Sequence, residues 1–297
     1  MAHDPPRPPT PGLTPAAAPT PEPTLAVPTG THAVEFLPDR VVKRFPRDHR
    51  GEPAREWTAL TLLDHHAPGL APRPLHADLD GDPPTIVMSR IDATPLRGTT
   101  LAPAHLDALA DALTTLHTAI PSPSLDAIAP PPWNPETALA KAVACAAEPP
   151  PPGLDARVGR ALTSGASWLE TQHARHLHDM PAALGIADGN LANYLIDTGN
   201  RVHIVDYEDS GRSTRAFELA ELLEHPSTWV DTHAFDADQL VERLELDPAE
   251  HEGLRRLRPL LAYLWTRMLL PGGLAHTRNP AGSLERQAER LLALLDA

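Results

Sequence analysis

The stretch "GIADGNLANYLIDTGNRVHIVDYEDSG", residues 185–211, decides how this chain is read. Apolar residues alternate through "NYLID" and "RVHIVD", with "TGN" between them, which predicts two short strands joined in a hairpin. Asp197 and Asn200 are turn residues of the kind that favour such a corner. Asp188, Asn193 and Asp206 stand at the edges of these apolar segments. Carboxylates crowd together only at a cost unless a cation comes between them. The rest of the chain must therefore show what brings them to one place.

Composition narrows the choice. The chain has 297 residues, enough for one large or two modest domains. It carries 39 acids against 25 bases, a net charge of −14. That excess argues against nucleic acid or an anionic membrane as the main partner. It is compatible with steering a cationic small molecule. No apolar run approaches about 20 residues, so no membrane span is expected. The N-terminal residues lack the apolar core of a secretory signal. Cys145 is the single cysteine. It has no internal disulfide partner, and a reducing cytoplasm is the expected compartment.

Only Lys43 and Lys141 are lysines; the remaining 23 bases are arginine. A lysine that persists in so arginine-rich a chain is a candidate for a place where a compact point charge is needed and a planar fork does not fit. Lys43 lies in the β-type run "DRVVKRF". Its bland alternative is a solvated strand lysine. Lys141, in "PETALAKAVACAAE", reads as an ordinary exposed helix lysine.

Residues 1–24 contain nine prolines and read as an extended, disordered tail. Residues 25–94 mix strand patterns ("HAVEF", "RVVKRF", "PTIVMSRI") with one helical pattern, "EPAREWTALTLLDHH". From residue 95 to 297 helices dominate. Leu106, Leu109, Leu113 and Leu116 recur at helical spacing, and "LDARVGRALTSGASWLETQHARHLH" reads as a helix. The proline-rich residues 121–153 predict loop around one short helix. "PLLAYLWTRMLL" is apolar enough to be buried, and Ser283 is placed to cap the last helix. The expected class is α+β, with a small β-rich lobe before a larger helical one.

In this order the elements resemble the aminoglycoside phosphotransferase family, which has a two-lobed, protein-kinase-like fold. "IADGNLANYLID" is similar to the family's catalytic loop, with the Asp188 to Asn193 spacing kept. "HIVDYED" supplies Asp206, and "RAFELAELLEH" resembles the segment that follows. "VVKRF" matches the nucleotide-lysine strand, "REWTALTLL" offers Glu56, "IVMSRI" matches the linker between lobes, and "LTTLHTAIP" resembles a Leu-His segment. The match runs from about residue 29 to about residue 225.

The resemblance implies roles. Asp188 would orient the acceptor hydroxyl. Asn193 and Asp206 would hold Mg²⁺. Lys43, kept in place by Glu56, would hold the phosphates of ATP or GTP. The backbone around Ser89 and Ile91 would meet the purine edge. Hard divalent ions take oxygen ligands, and phosphoryl transfer rests on positioning and charge stabilisation. The implied activity moves a γ-phosphate to a hydroxyl of a small, cationic molecule such as an aminoglycoside. Two alternatives stand beside it: a kinase of another hydroxyl metabolite, and a catalytically silent binding protein. Ile186 and Ala187 stand where the family has His-Gly, and Asn190 replaces a second His. "PTGTH" offers only Gly30 over the phosphates, in place of a Gly-rich loop.

Other clusters have ordinary readings. His65 and His66 read as surface residues, and His173, His176 and His178 as a polar helix end. Glu208, Asp209, Glu218, Glu221 and Glu224 are candidates for a cation pocket, against the more common reading as a solvated acidic face.

Overall fold

The computed structural model describes residues 27–29, 32–47, 50–171, 180–233 and 235–296. The proline-rich tail, Gly30 of the candidate phosphate loop, and His173, His176 and His178 lie outside the described residues.

A five-stranded antiparallel sheet comes first. Its strands are β1 (Val27–Thr29), β2 (His32–Phe36), β3 (Arg40–Arg44), β4 (Pro74–Asp78) and β5 (Thr85–Ser89), in the spatial order β1-β2-β3-β5-β4. β2 and β3 form the hairpin expected of "HAVEF" and "RVVKRF", closed where Leu37 N–H donates to the Arg40 carbonyl at 2.9 Å. β3 is central, so Lys43 is flanked by Val34 on one side and Ile86 on the other. Helix α1 (Glu52–His66) packs on this sheet through Ala59, Leu60 and Leu63. It starts at Gly51, whose φ of 89° is one that residues with a Cβ rarely adopt.

The larger part is helical. It contains α2 (Pro103–Thr118), α3 (Ser122–Asp126), α4 (Pro135–Ala146), α5 (Ala156–Thr171), α6 (Arg215–Glu224), α7 (Ala237–Arg243), α8 (Pro248–Met268) and α9 (Ser283–Asp296). Two small sheets are set among them. β6 (Thr94–Pro95) pairs with β8 (Tyr194–Ile196), which forms the expected hairpin with β9 (Val202–Ile204). β7 (Ala182–Gly185) pairs antiparallel with β10 (Gly211–Thr214). The deciding stretch is thus held at both ends by β7–β10 pairing, with Gly185 opposite Gly211.

Two expectations need correction. Residues 121–153 hold two helices, not one. α4 starts where Asn134 accepts hydrogen bonds from the Glu136 and Thr137 amides, and Pro135 sits where no amide donor is needed. The surrounding prolines masked that cap. Ser283 does not cap α9: it is the first helical residue and is buried, and Gly282 precedes it at the cap position. Within the segment read as one long helix, α5 is described as far as Thr171.

Helix α6 is buried on every side, a pattern that usually demands an all-apolar sequence. It nevertheless carries Arg215, Glu218, Glu221 and Glu224. Arg215 reaches Glu250 of α8 at 3.5 Å. Glu224 is fully buried and receives Arg258 Nε at 2.7 Å together with Arg290. Removing one member of such a set leaves uncompensated charge inside. Glu224→Ala should lower unfolding free energy by about 3–5 kcal/mol in urea denaturation, with Arg258 and Arg290 stranded beside the cavity. An unchanged midpoint would show that these arginines reach water by themselves.

Candidate active site

The sheet presents Lys43 inward, 6% exposed. Its ammonium meets three carboxylates: Glu56 of α1 at 2.8 Å, and Asp206 and Glu208, after β9, at 2.6 Å each. Phe45 lies beneath it, with the ammonium 5.1 Å from the ring centroid. His32 of β2 reaches, through Nε2 at 2.7 Å, the same Glu208 oxygen that Lys43 binds. Burial alone would pull the Lys43 ammonium down. Glu56, Asp206 and Glu208 outweigh it and hold the charge well above its ordinary range. Glu56, 1% exposed, has its carboxyl raised by burial, with Lys43 opposing.

Asp206 sits at φ 68°, in the left-handed region that Asp tolerates better than most residues. The turn places its carboxylate on Lys43 and leaves the side chain 39% exposed. Arg55 of α1 fastens the following residues, donating from Nε to the Glu208 carbonyl at 2.8 Å and from a terminal nitrogen to Asp209 at 3.3 Å.

Asp188 follows β7. Its Oδ1 accepts the Asn190 amide at 3.1 Å and its Oδ2 accepts Asn193 Nδ2 at 3.0 Å. A carboxylate only accepts, so the nitrogen end of the Asn193 amide must face Asp188. The oxygen end is then free for a cation. Asn193 closes a short 3-10 turn, Leu191–Asn193, and Asn190 caps that turn by accepting the Ala192 amide at 3.1 Å. Asn190 is therefore a local capping residue at the position where the family has a second His. Burial in the crevice raises the Asp188 carboxyl, opposed by the Asn190 and Asn193 bonds and reinforced by Asp206 and Asp209. The Val205 amide donates to the Asn193 carbonyl at 2.9 Å, so the segments carrying Asp188 and Asp206 run side by side.

Glu218 supports the loop from behind. One of its oxygens accepts both the Ile186 and Ala187 amides, at 3.0 Å each. Ala187 has φ 54°, which accounts for glycine at this place in the family. A Cβ on Gly185 would lie 2.2 Å from Glu218 Oε1, so only glycine leaves room for that carboxylate. Gly189 is equally constrained, since its Cβ would meet the Glu221 carbonyl at 2.3 Å. The loop rests directly on α6.

The structure gathers Lys43, Glu56 and Asp206 at one point, and Asp188 with Asn193 beside it. Ser89 ends β5, where the chain leaves the large sheet. Its amide already donates to the Arg73 carbonyl at 2.9 Å, and that of Arg90 to Asp39 at 3.1 Å. The Ile91 amide has no hydrogen-bond partner among the described residues. The Ser89 N–H thus belongs to the sheet, and the open backbone donor of this stretch is that of Ile91.

The five acids do not form one cation pocket. Glu208 binds Lys43 and Asp209 binds Arg55. Glu218 holds the loop, and Glu221 and Glu224 are buried. The roles of His32 and Glu208 were hidden, because their partner is distant in sequence. The run Asp206-Tyr207-Glu208 was the only local sign.

Glu56, Asp206 and Glu208 bring carboxylate oxygens within 4.8 Å of one another. Hard oxygen donors of net negative charge suit Mg²⁺, and a single ammonium leaves that charge only partly balanced. Those three oxygens converge on the Lys43 ammonium, and Asn193 is not among them. For the ion expected at Asp206 and Asn193 the donors are the 39% exposed Asp206 carboxylate and the Asn193 amide oxygen, both hard oxygens.

Against known proteins, the family model described as "APH: Phosphotransferase enzyme family" matches residues 29–260. No curated protein matches the chain. Solved structures share its fold. A choline/ethanolamine kinase family protein from Mesorhizobium loti is 20% identical, covering 92% of this chain and 88% of its own, with a TM-score of 0.60. The GDP and kanamycin complex of APH(2")-IIia is 15% identical over 91% and 92%, with a TM-score of 0.62. Choline kinase LicA from Streptococcus pneumoniae is 16% identical over 92% of each chain, with a TM-score of 0.54. The fold is therefore kinase-like, a small antiparallel sheet lobe beside a larger helical one. No described helix is long and apolar enough to cross a membrane.

Glu221 yields a pH test. It is fully enclosed and one oxygen has no partner. Burial raises its carboxyl from an ordinary 4.5 to about 8, with Trp133 opposing. The neutral form stabilises the fold fully below pH 4.5, and that contribution is lost as pH rises through 8. Glu221→Gln should match wild type in acid and become relatively more stable by pH 8, measured by urea midpoints. A stability difference that stays constant across that range would refute the assignment.

Proposed function

The chain belongs to the phosphotransferase enzyme family, and from that premise we propose that it transfers the γ-phosphate of ATP or GTP to a hydroxyl of a small, cationic molecule. The observation that carries this reading is the Lys43 ammonium bound to Glu56 and Asp206 at 2.8 and 2.6 Å, beside the segment of Asp188 and Asn193, where the Asn193 carbonyl accepts the Val205 amide at 2.9 Å. Asp206 and Asn193 are the ligands assigned to Mg²⁺, which when bound neutralises charge on the phosphates.

Each residue then has a physical task. Lys43 exchanges part of its carboxylate company for phosphate oxygens, while Glu56, fixed in α1, keeps the ammonium from following the nucleotide out. Asp188 accepts the hydrogen bond of the acceptor hydroxyl and takes its proton late in the transfer. A raised carboxyl makes that acceptance easier than for an unperturbed Asp. Asn193 prevents Asp188 from swinging. The Ile91 amide is a candidate donor to the purine edge.

Two things support a cationic acceptor: the excess of acid, and the kanamycin named with one structure of this fold. The choline and ethanolamine kinases of the same fold support the competing reading, a smaller amino alcohol. The silent-protein reading rests on Ile186 and on the sparse "PTGTH" loop; against it stands the ordered loop before Asp188, whose Ile186 and Ala187 amides are both held by Glu218. Incubation with labelled ATP, Mg²⁺ and a panel of kanamycin, other aminoglycosides, choline and ethanolamine, with products weighed by mass spectrometry, decides among these.

Asp188→Asn should lower the transfer rate by about 10²–10⁴-fold while nucleotide affinity changes little. Turnover near wild type would remove Asp188 from this role. Lys43→Arg keeps the charge but spreads it over a planar fork that three carboxylates crowded around one nitrogen do not accommodate. It should raise the KM for ATP at least tenfold. Wild-type kinetics in Lys43→Arg would show that only charge matters there.

A further inference from the structure

A histidine from the end of α6 faces Asp188. His225 Nε2 lies 3.9 Å from Asp188 Oδ1. That is too long for a direct hydrogen bond. Both side chains reach the crevice, His225 13% exposed and Asp188 41%.

The histidine is fixed in orientation and tautomer. Trp265 packs edge-on against its ring, with centroids 4.7 Å apart. The Ser227 backbone N–H donates to Nδ1 at 3.1 Å. An amide N–H cannot accept, so Nδ1 presents its lone pair and the proton sits on Nε2. Ser227 Oγ, 2.7 Å from Nδ1, also accepts the Leu191 amide at 2.9 Å, tying the histidine to the turn that carries Asn193. Burial, with Arg97 adding, pulls the imidazole pKa down to about 3, so the ring stays neutral. Its charge is not available to neutralise Asp188. What it offers the crevice is one aimed N–H.

We infer, on the phosphotransferase reading above, that His225 is a second acceptor-binding residue, whose Nε2–H donates to the acceptor hydroxyl oxygen while that hydroxyl donates to Asp188. An oxygen at ordinary hydrogen-bond distance from each group, about 2.7–3.0 Å, fits across a 3.9 Å separation by sitting off the line between them. A hydroxyl oxygen has two lone pairs. One accepts from His225 and the other attacks phosphorus. As the new O–P bond forms, the bond from phosphorus to the bridging oxygen breaks. The nucleoside diphosphate leaves with that electron pair, and the hydroxyl proton passes to Asp188. His225 keeps its proton throughout. Its task is to choose which lone pair is left to react.

The test uses the full chain, with His225→Phe, which keeps a ring against Trp265 and removes the donor, and His225→Gln, which returns an N–H near Nε2. Transfer is measured to water, as phosphate release from Mg²⁺–ATP without added acceptor, and to kanamycin and choline. Calorimetry reports ATP affinity and melting temperature reports folding. His225→Phe should keep the wild-type melting temperature and an ATP affinity within about twofold, yet transfer at least tenfold more slowly. His225→Gln should recover most of the loss. Wild-type transfer in His225→Phe overturns the assignment alone. So does a loss in His225→Gln equal to that in His225→Phe. A wild-type protein that transfers to none of these acceptors, water included, overturns the phosphotransferase reading and this inference with it.

Discussion

One ammonium joins the two parts of the molecule. Lys43 is on the central strand of the sheet lobe, while Asp206 and Glu208 belong to the helical part, and all meet within 2.6 Å of Nζ. The pairs are neither surface decoration nor fully sealed. Lys43 and Glu56 are enclosed, while Asp206 stays open to the crevice. A buried ion pair is weak evidence for stability, since desolvation offsets most of its attraction. Its value here is positional. Swapping Lys43 for an apolar side chain of similar size would leave three acids facing each other across the lobe boundary. The geometry of the crevice depends on that lysine more than on any apolar contact.

The second dependence runs through α6. Three of its acids point to three different tasks. Glu218 holds the backbone before Asp188, Glu221 is enclosed beneath the loop, and Glu224 locks α6 to α8 and α9 through Arg258 and Arg290. Spacing explains how one helix does this. Residues three apart lie on neighbouring lines of a helical surface, so positions 218, 221 and 224 drift slowly around the axis and face successive neighbours. A sequence reader sees Glu-x-x-Glu-x-x-Glu and expects a solvated stripe. The stripe is buried because every neighbour supplies a donor, or space for a neutral carboxyl.

What was legible in the sequence was local. Lys43 was marked by the scarcity of lysine and by its strand. Asp188, Asn193 and Asp206 were marked by spacing and by their places beside apolar runs. The hairpin showed its turn in Asp197, whose Oδ1 accepts the Gly199 and Arg201 amides. What was illegible depended on distant partners. β7 is four residues long and is defined only by β10, which returns 26 residues later at Gly211. α4 is written in Asn134-Pro135, but the prolines around it read as loop. His32 meets Glu208 and His225 meets Asp188 across stretches that no periodicity connects.

Ile186 stands where the family resemblance expects a histidine, and the loop around it is pinned by other groups. A loop of this kind needs its backbone pinned and its carboxylate aimed; it does not need a particular side chain to do the pinning. Ile186 is 2% exposed and belongs to the apolar core, so packing holds its side chain while Glu218 holds its amide. Gly185 and Ala187 complete the arrangement. The first leaves space for the Glu218 carboxylate, and the second accepts a left-handed φ that glycine would adopt without strain, at a cost of about 1 kcal/mol. That strain is tolerable because two hydrogen bonds to a buried carboxylate, each worth more than a neutral pair, converge on the same two residues. The loop therefore retains its aim through the acid of α6, and the histidine that does face Asp188 comes from the far end of that same helix.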